Sequence, residues 1–222
     1  VDPALNAGAR YFAESQYVTN DDSALLGHGF NNVSYREVSI SGANPPYNMN
    51  FVGSTMREDS AIVAWQVADP SVTIVEIPVP NDGSMYLAYK ATAAAGGGWD
   101  YDYTLYNRDS DRSARAIAIP VSSSTVLSNG SFVDPEYHSG EVYDNTDWFS
   151  YDGLYPGTTQ RVQAWVGGAY SANANANALR WGTSYSFHIH SDTAPVAAHL
   201  GVILFKPGAG SSLLFVSADV PQ

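Results

Sequence analysis

The chain contains no cysteine, only two lysines (Lys90 and Lys206) and few charges of any kind, with charged residues at 14% of its 222 positions. The first absence removes disulfides and thiol nucleophiles, and is compatible with either redox compartment. Against roughly 25% charged residues in an ordinary soluble domain, the scarcity of charge leaves Ser, Thr, Asn, Gly and tyrosine hydroxyls to cover the surface. The charge that remains is lopsided: 22 acids stand against 10 bases, for a formal net charge of −12. Such a surface repels phosphate backbones and anionic bilayers, which argues against nucleic acid and charged membranes as partners. No apolar run approaches the roughly 20 residues of a membrane-spanning helix, so no membrane span is expected. The short signatures of familiar catalysts are also missing. G-x-S-x-G and H-E-x-x-H do not occur, and Gly96-Gly97-Gly98 has neither the helix nor the lysine of a phosphate loop.

Strand patterning is what the chain has in quantity. At 45% hydrophobic residues it can build a core. Stretches 34–40, 47–52 and 61–67 read as strands, punctuated by Asn44-Pro45-Pro46 and Gly53. Stretch 72–79 presents Thr73, Val75, Ile77 and Val79 on its buried parity, and Asn81-Asp82-Gly83 turns it into its partner, 84–92. In 99–106, Trp99, Tyr101, Tyr103 and Leu105 face one way while Asp100, Asp102, Thr104 and Tyr106 face the other. Further strands are expected at 114–121, 161–166, 179–190, 198–205 and 213–218. The one place for a helix is 3–15, where Gly8 and Tyr11-Phe12 count against it. The sum is an all-β fold: an antiparallel β-sandwich, jelly-roll-like or elaborated, with few or no helices. It is read as a single large domain over 1–222 with an N-terminal arm over 1–20. The Asn/Ala alternation at 172–178 reads as a polar loop or edge.

The segment from Asp134 to Asp152 concentrates Asp134, Glu136, Glu141, Asp144, Asp147 and Asp152 with no Lys or Arg. Tyr137, His138, Tyr143, Trp148, Phe149 and Tyr151 are interleaved among them. The ordinary reading is a solvated loop pinned down by its aromatics. The chemical readings are a Ca²⁺ site on Asp134, Glu136, Glu141, Asp144 and Asp147, since the ion takes about six to eight oxygens, or a sugar groove of acids beside stacking rings. Asn107-x-Asp109-x-Asp111 imitates the start of a calcium loop. Arg112 stands where glycine is required and Ala118 where glutamate is required, so a loop with side-chain caps is expected, Arg112 or Arg115 pairing Asp109 or Asp111.

His188 and His190 share a strand face, and His199 on the next strand could complete a Zn²⁺ trio. Asp192 is the one evident acid partner, and solvent-facing, unliganded histidines are the plainer reading. Asp100 and Asp102, with Cα atoms roughly 6.5 Å apart, have a glycosidase-like spacing, but their regular strand favours a plain surface. Tyr137-His138-Ser139-Gly140 puts a His beside a Ser, which by itself is not a triad.

Five stretches carry a resemblance: 9–19 (ARYFAESQYVT), 101–113 (YDYTLYNRDSDRS), 137–141 (YHSGE), 175–185 (NANALRWGTSY) and 204–208 (LFKPG). They resemble a family of exported bacterial proteins of unknown function from environmental and planctomycete-type genomes. The resemblance spans most of the chain and implies export and a surface role. It supplies no ligand, cofactor or catalytic residue.

The expected function is therefore non-catalytic and extracellular or at the cell surface: a structural subunit of a filament, sheath or layer. It would assemble with copies of itself by strand addition, with Leu213, Leu214, Phe215 and Val216 as an apolar edge. This reading requires no cofactor, and Ca²⁺ is the ion the acidic segment would take. The alternatives are a glycan-binding sandwich stacking sugars on Trp148, Tyr143 and Tyr151, or on Trp99 and Trp165, and a metal-dependent hydrolase. Asn32-Val33-Ser34 and Asn129-Gly130-Ser131 would accept N-glycans in a host with that machinery.

Overall fold

The computed structural model describes residues 2–17, 31–137 and 140–222. Contacts cluster into two compact units, Val1–Pro70 and Ser71–Gln222.

The first unit holds a three-stranded antiparallel sheet in the order β1-β2-β3, with β1 at Tyr11–Gln16, β2 at Val33–Ser41 and β3 at Asn48–Arg57. The helix considered at 3–15 is therefore replaced by a strand, consistent with the β-favouring Tyr11-Phe12 pair. The rest of the 1–20 arm lies partly outside the described residues. In β2, Val33 and Tyr35 are buried and so is Val38, a change of parity. It falls at an irregularity where Tyr35 faces Met56 but Glu37 faces Val52. The extra β3 residues are accommodated at Gly53, whose φ of +62° suits glycine.

Stretch 61–67, expected as a strand, is instead a short helix, α1 (Val63–Ala68). A short apolar run does not distinguish a strand from a buried helical turn. What selects the helix is non-local: the Glu14 carboxylate, on β1, accepts the Ala61 N–H at 2.5 Å, and Ile62 and Ala64 are buried.

The second unit is a β-sandwich of two five-stranded antiparallel sheets. One sheet runs β4-β5-β6-β11-β8: Thr73–Pro78, Ser84–Ala93, Trp99–Asn107, Thr183–Ser191 and Leu127–Val133. The other runs β13-β12-β7-β10-β9: Leu213–Val220, Val196–Leu204, Ala114–Val121, Arg161–Val166 and Phe149–Leu154. The hairpin of β4 and β5 pairs as its alternation requires, Ile77 opposite Met85. In β6, Tyr101, Tyr103 and Leu105 point into the core and Asp100 and Asp102 point out. One core joins both sheets, with Met85, Leu87, Ile189 and Phe187 from the first meeting Ile117, Trp165, Leu200 and Val216 from the second. Each such buried side chain contributes about 1.5–3 kcal/mol.

Strands β8 and β9 were not expected. Both are largely exposed edge strands, whose outward residues lack the apolar alternation by which half-buried strands are recognised. Between β6 and β7, the loop at 107–112 is held from inside. The buried Asn107 amide donates to the Ser110 and Leu179 carbonyls, each at 2.9 Å. The Asp82 carboxylate accepts the Ser110 hydroxyl at 2.7 Å and the Arg112 N–H at 2.8 Å. The expected pairing is corrected: Arg108 takes Asp109 and Lys206 takes Asp111, while Arg112 donates to the Lys206 and Ala209 carbonyls.

A cleft between the β8–β9 connection and the approach to β11

The long connection from β8 to β9, two edge strands of opposite sheets, carries the acidic, aromatic segment. It folds against the stretch that precedes β11, and between them lies a cleft of about 280 Å³. One wall carries Asp134, Glu136, Tyr137, Glu141, Tyr143 and Asp144; the other carries Asn177, Arg180, Trp181, Thr183 and Tyr185.

The floor is fixed by one buried amide. Asn177 Nδ2 donates to Asp134 Oδ2 at 2.6 Å and to the Thr146 carbonyl at 3.1 Å. Its Oδ1 accepts from the Tyr185 hydroxyl, which also lies 3.0 Å from the Ala178 carbonyl. Its backbone carbonyl accepts the Trp148 indole N–H at 3.0 Å. Burial, reinforced by the Asp134 charge and partly offset by Arg180, raises the Tyr185 pKa far above the usual phenol value, so this hydroxyl stays neutral.

The rim is built from rings and charge. The Arg180 guanidinium lies 4.0 Å over the Tyr143 ring and 5.0 Å from that of Phe205. It donates to the Ala174 and Ala176 carbonyls at 3.3 and 3.0 Å. Trp181 is 42% exposed, Tyr143 42% and Tyr137 48%, so three rings present faces or edges to solvent. Asp144 is committed to its own turn. It accepts from the Thr146 N–H at 2.8 Å and the Thr146 hydroxyl at 2.5 Å, which holds its carboxyl below the usual range.

Of the five carboxylates considered for Ca²⁺, Asp134, Glu136, Glu141 and Asp144 line this cleft and Asp147 does not. Among the described residues, no three His, Asp or Glu side chains are gathered into a group that could hold an ion. Of the three rings considered for stacking, Tyr143 is in the cleft. Trp148 is 3% exposed and packs its face on Phe132 at 5.8 Å, so it belongs to the core. Tyr151 lies on β9, its hydroxyl bound to the Leu154 carbonyl. Trp165 is likewise buried and Trp99 partly so. Asp152 is clamped by Arg161 at 2.7 Å through both Nε and Nη2. His138 and Ser139 lie outside the described residues.

Sequence reasoning missed Asn177, Arg180 and Trp181. The signal was there: a lone Arg-Trp pair directly after a polar Asn/Ala loop, in a chain with 10 bases. The histidines also fall differently from expectation. His188 and His190 stand on the outer face of β11, but their partners are Asp102 and Asp100 of β6, not Asp192. Asp192 instead accepts the Val126 N–H. His199 belongs to β12 in the opposite sheet, where its Nε2 lies 3.4 Å from the Ser217 hydroxyl, so no three-imidazole cluster forms.

The apolar edge at 213–216 does lie on an edge strand, β13. Val216 is buried and Leu214 packs on the core, while Phe215 is 67% exposed. Comparison with protein-family models, with curated proteins and with solved structures finds no match to this chain.

Proposed function

We propose that this chain is a non-catalytic, extracellular binding module whose β-sandwich presents the cleft beside β11 to a hydroxyl-rich ligand, a glycan residue being the natural class. The observation that carries this reading is the combination of Trp181, Tyr143 and Tyr137 with Glu136, Glu141 and Arg180 around one concavity. Rings stack on the C–H faces of a sugar, and carboxylates and a guanidinium take its hydroxyls. Among the described lining residues, carboxylates outnumber the one cation, Arg180, which favours neutral or amino sugars over uronic acids.

Calorimetric titration with neutral, amino and uronic oligosaccharides tests this. Binding that is retained at moderate salt and lost in Trp181→Ala is the expected result. Saturable binding that survives both Trp181→Ala and Tyr143→Ala, or none with any sugar class, would remove the proposal.

A second reading is self-assembly by strand addition at β13, supported by the exposure of Phe215 on an edge strand. Negative-stain microscopy in dilute buffer separates the two. Regular filaments or sheets that Phe215→Asp disperses would support assembly, and single particles would leave the binding reading alone.

A further inference from the structure

The polar groups of the cleft beside β11 are unequally engaged. Asp134 accepts from Asn177 Nδ2, and Asp144 accepts from the Thr146 N–H and hydroxyl, so the fold already uses both carboxylates. Glu136, by contrast, is exposed and has no hydrogen-bond or ion-pair partner among the described residues. The cation of the described lining, Arg180, is engaged as well: it donates to the Ala174 and Ala176 carbonyls and lies over the Tyr143 ring. One face of Tyr143 is thereby taken, while Trp181 and Tyr137 stay exposed.

We propose that the sugar this cleft receives is an amino sugar with a free, protonated amine, its ammonium set against the Glu136 carboxylate and the Trp181 ring. The inference rests on the cleft reading above and narrows its ligand class. Asp134, Glu136, Glu141 and Asp144 line the cleft, against Arg180 alone among the described residues. An ammonium gains from that imbalance, an N-acetylated or plain sugar is indifferent to it, and a uronic carboxylate is repelled. The cleft volume of about 280 Å³ falls just under the roughly 300–1,000 Å³ of pockets that enclose drug-sized ligands. It therefore suits a single sugar residue better than a long stretch of polymer.

Three further features support an ammonium. The field at the floor is that of the carboxylates: after burial, the Asp134 charge acts on the Tyr185 hydroxyl more strongly than the opposing Arg180, and Glu141 adds to it. The carboxylates are also spread out, since no three such side chains among the described residues are gathered into a group that could hold a metal ion. A metal ion needs several ligand atoms at once, whereas an ammonium is served by one carboxylate and one ring face. Finally, Arg180 covers Tyr143 and Phe205, and Trp181 carries no such cation among the described residues. The indole is the ring that attracts a cation most strongly.

The test is calorimetric titration of the full chain with three matched tetramers: β-1,4-linked glucosamine, its N-acetylated form, and glucose. They share one backbone and differ only at C2, so their comparison isolates the amine. At about pH 6, below the ordinary pKa of an amine, the glucosamine tetramer should bind about three- to thirtyfold tighter than the other two. Added salt should narrow that gap. Glu136→Gln should bring the three ligands to within about twofold of one another without weakening the neutral pair. Glu76→Gln, on β4 at the far edge of that sheet, should leave the preference intact and controls for general attraction to an acidic chain. Circular dichroism confirms that each variant is folded. Equal binding of all three tetramers by the wild-type chain, or an amine preference that survives Glu136→Gln or Trp181→Ala, overturns this inference and leaves the cleft as a site for neutral sugars. Absence of binding by all three removes the cleft reading itself, and this inference with it.

Discussion

The indole N–H of Trp148 donates to the backbone carbonyl of Asn177 at 3.0 Å, tying the β8–β9 connection to the stretch before β11 from inside the core. One residue thereby serves both fold and cleft, because the same Asn177 holds Asp134 and Tyr185 on the floor. Trp148→Phe keeps most of the ring contacts with Phe132 and Phe187 but leaves that carbonyl unpaired, a loss of about 1–3 kcal/mol. Trp148→Ala should cost about 3–5 kcal/mol. Denaturant unfolding measures both, and equal losses for the two variants would show that the hydrogen bond contributes everything and the packing nothing.

Trp181 behaves oppositely. Exposed on the rim, it should be replaceable by Ala within about 0.5 kcal/mol of wild-type stability, while sugar affinity collapses. Tyr143→Ala should cost a further part of the Arg180 contact, about 0.5–1 kcal/mol. A Trp181→Ala variant that unfolds as easily as Trp148→Ala would place this ring in the core after all.

Alkaline pH should unfold the chain cooperatively. Burial raises the pKa of Tyr103 well above the usual phenol value and does the same to Tyr101 and Tyr185. A raised folded pKa means that the fold favours the neutral form. The stabilisation is therefore fully present below the unfolded value of about 10 and is lost as pH rises beyond it. Near-ultraviolet titration should show a late set of tyrosines ionising together with loss of circular dichroism. Tyr103→Phe, which also removes the 2.7 Å bond to the Asp219 carbonyl, should move that transition. Smooth, reversible ionisation of all tyrosines near the usual value would contradict the burial.

Gly98 is the most constrained glycine of the β5–β6 turn. Its φ is +78°, and an added Cβ would meet the Ser191 carbonyl at 2.5 Å. Gly98→Ala should cost at least about 1–2 kcal/mol from the backbone conformation alone, whereas Gly96→Ala, with open space around it, should cost far less. Paired thermal melts of the two variants decide this.

Much of the sandwich was legible along the chain. Alternation placed β4 to β7 and β10 to β13 close to their observed spans and oriented β6 correctly, because a two-residue period is a local property that needs no partner to be read. Helix α1 was not legible, since the acceptor at its start is Glu14, far away in the chain. Strands β8 and β9 were missed because exposed edge strands carry no buried face to reveal them.

The acidic, aromatic segment was visible as composition, and four of its carboxylates do line one cleft. Which rings would stay at the surface was not visible: Trp148 and Trp181 look alike in sequence, and only packing sends the first into the core and the second to the rim. The same holds for the imidazoles. Sequence alone determines that His188 and His190 share a strand face, two residues apart. Pairing register across β6 and β11, a tertiary property, gives them Asp102 and Asp100 and takes His199 to the other sheet, because hydrogen-bonded neighbours in a sheet are set by topology and not by distance along the chain.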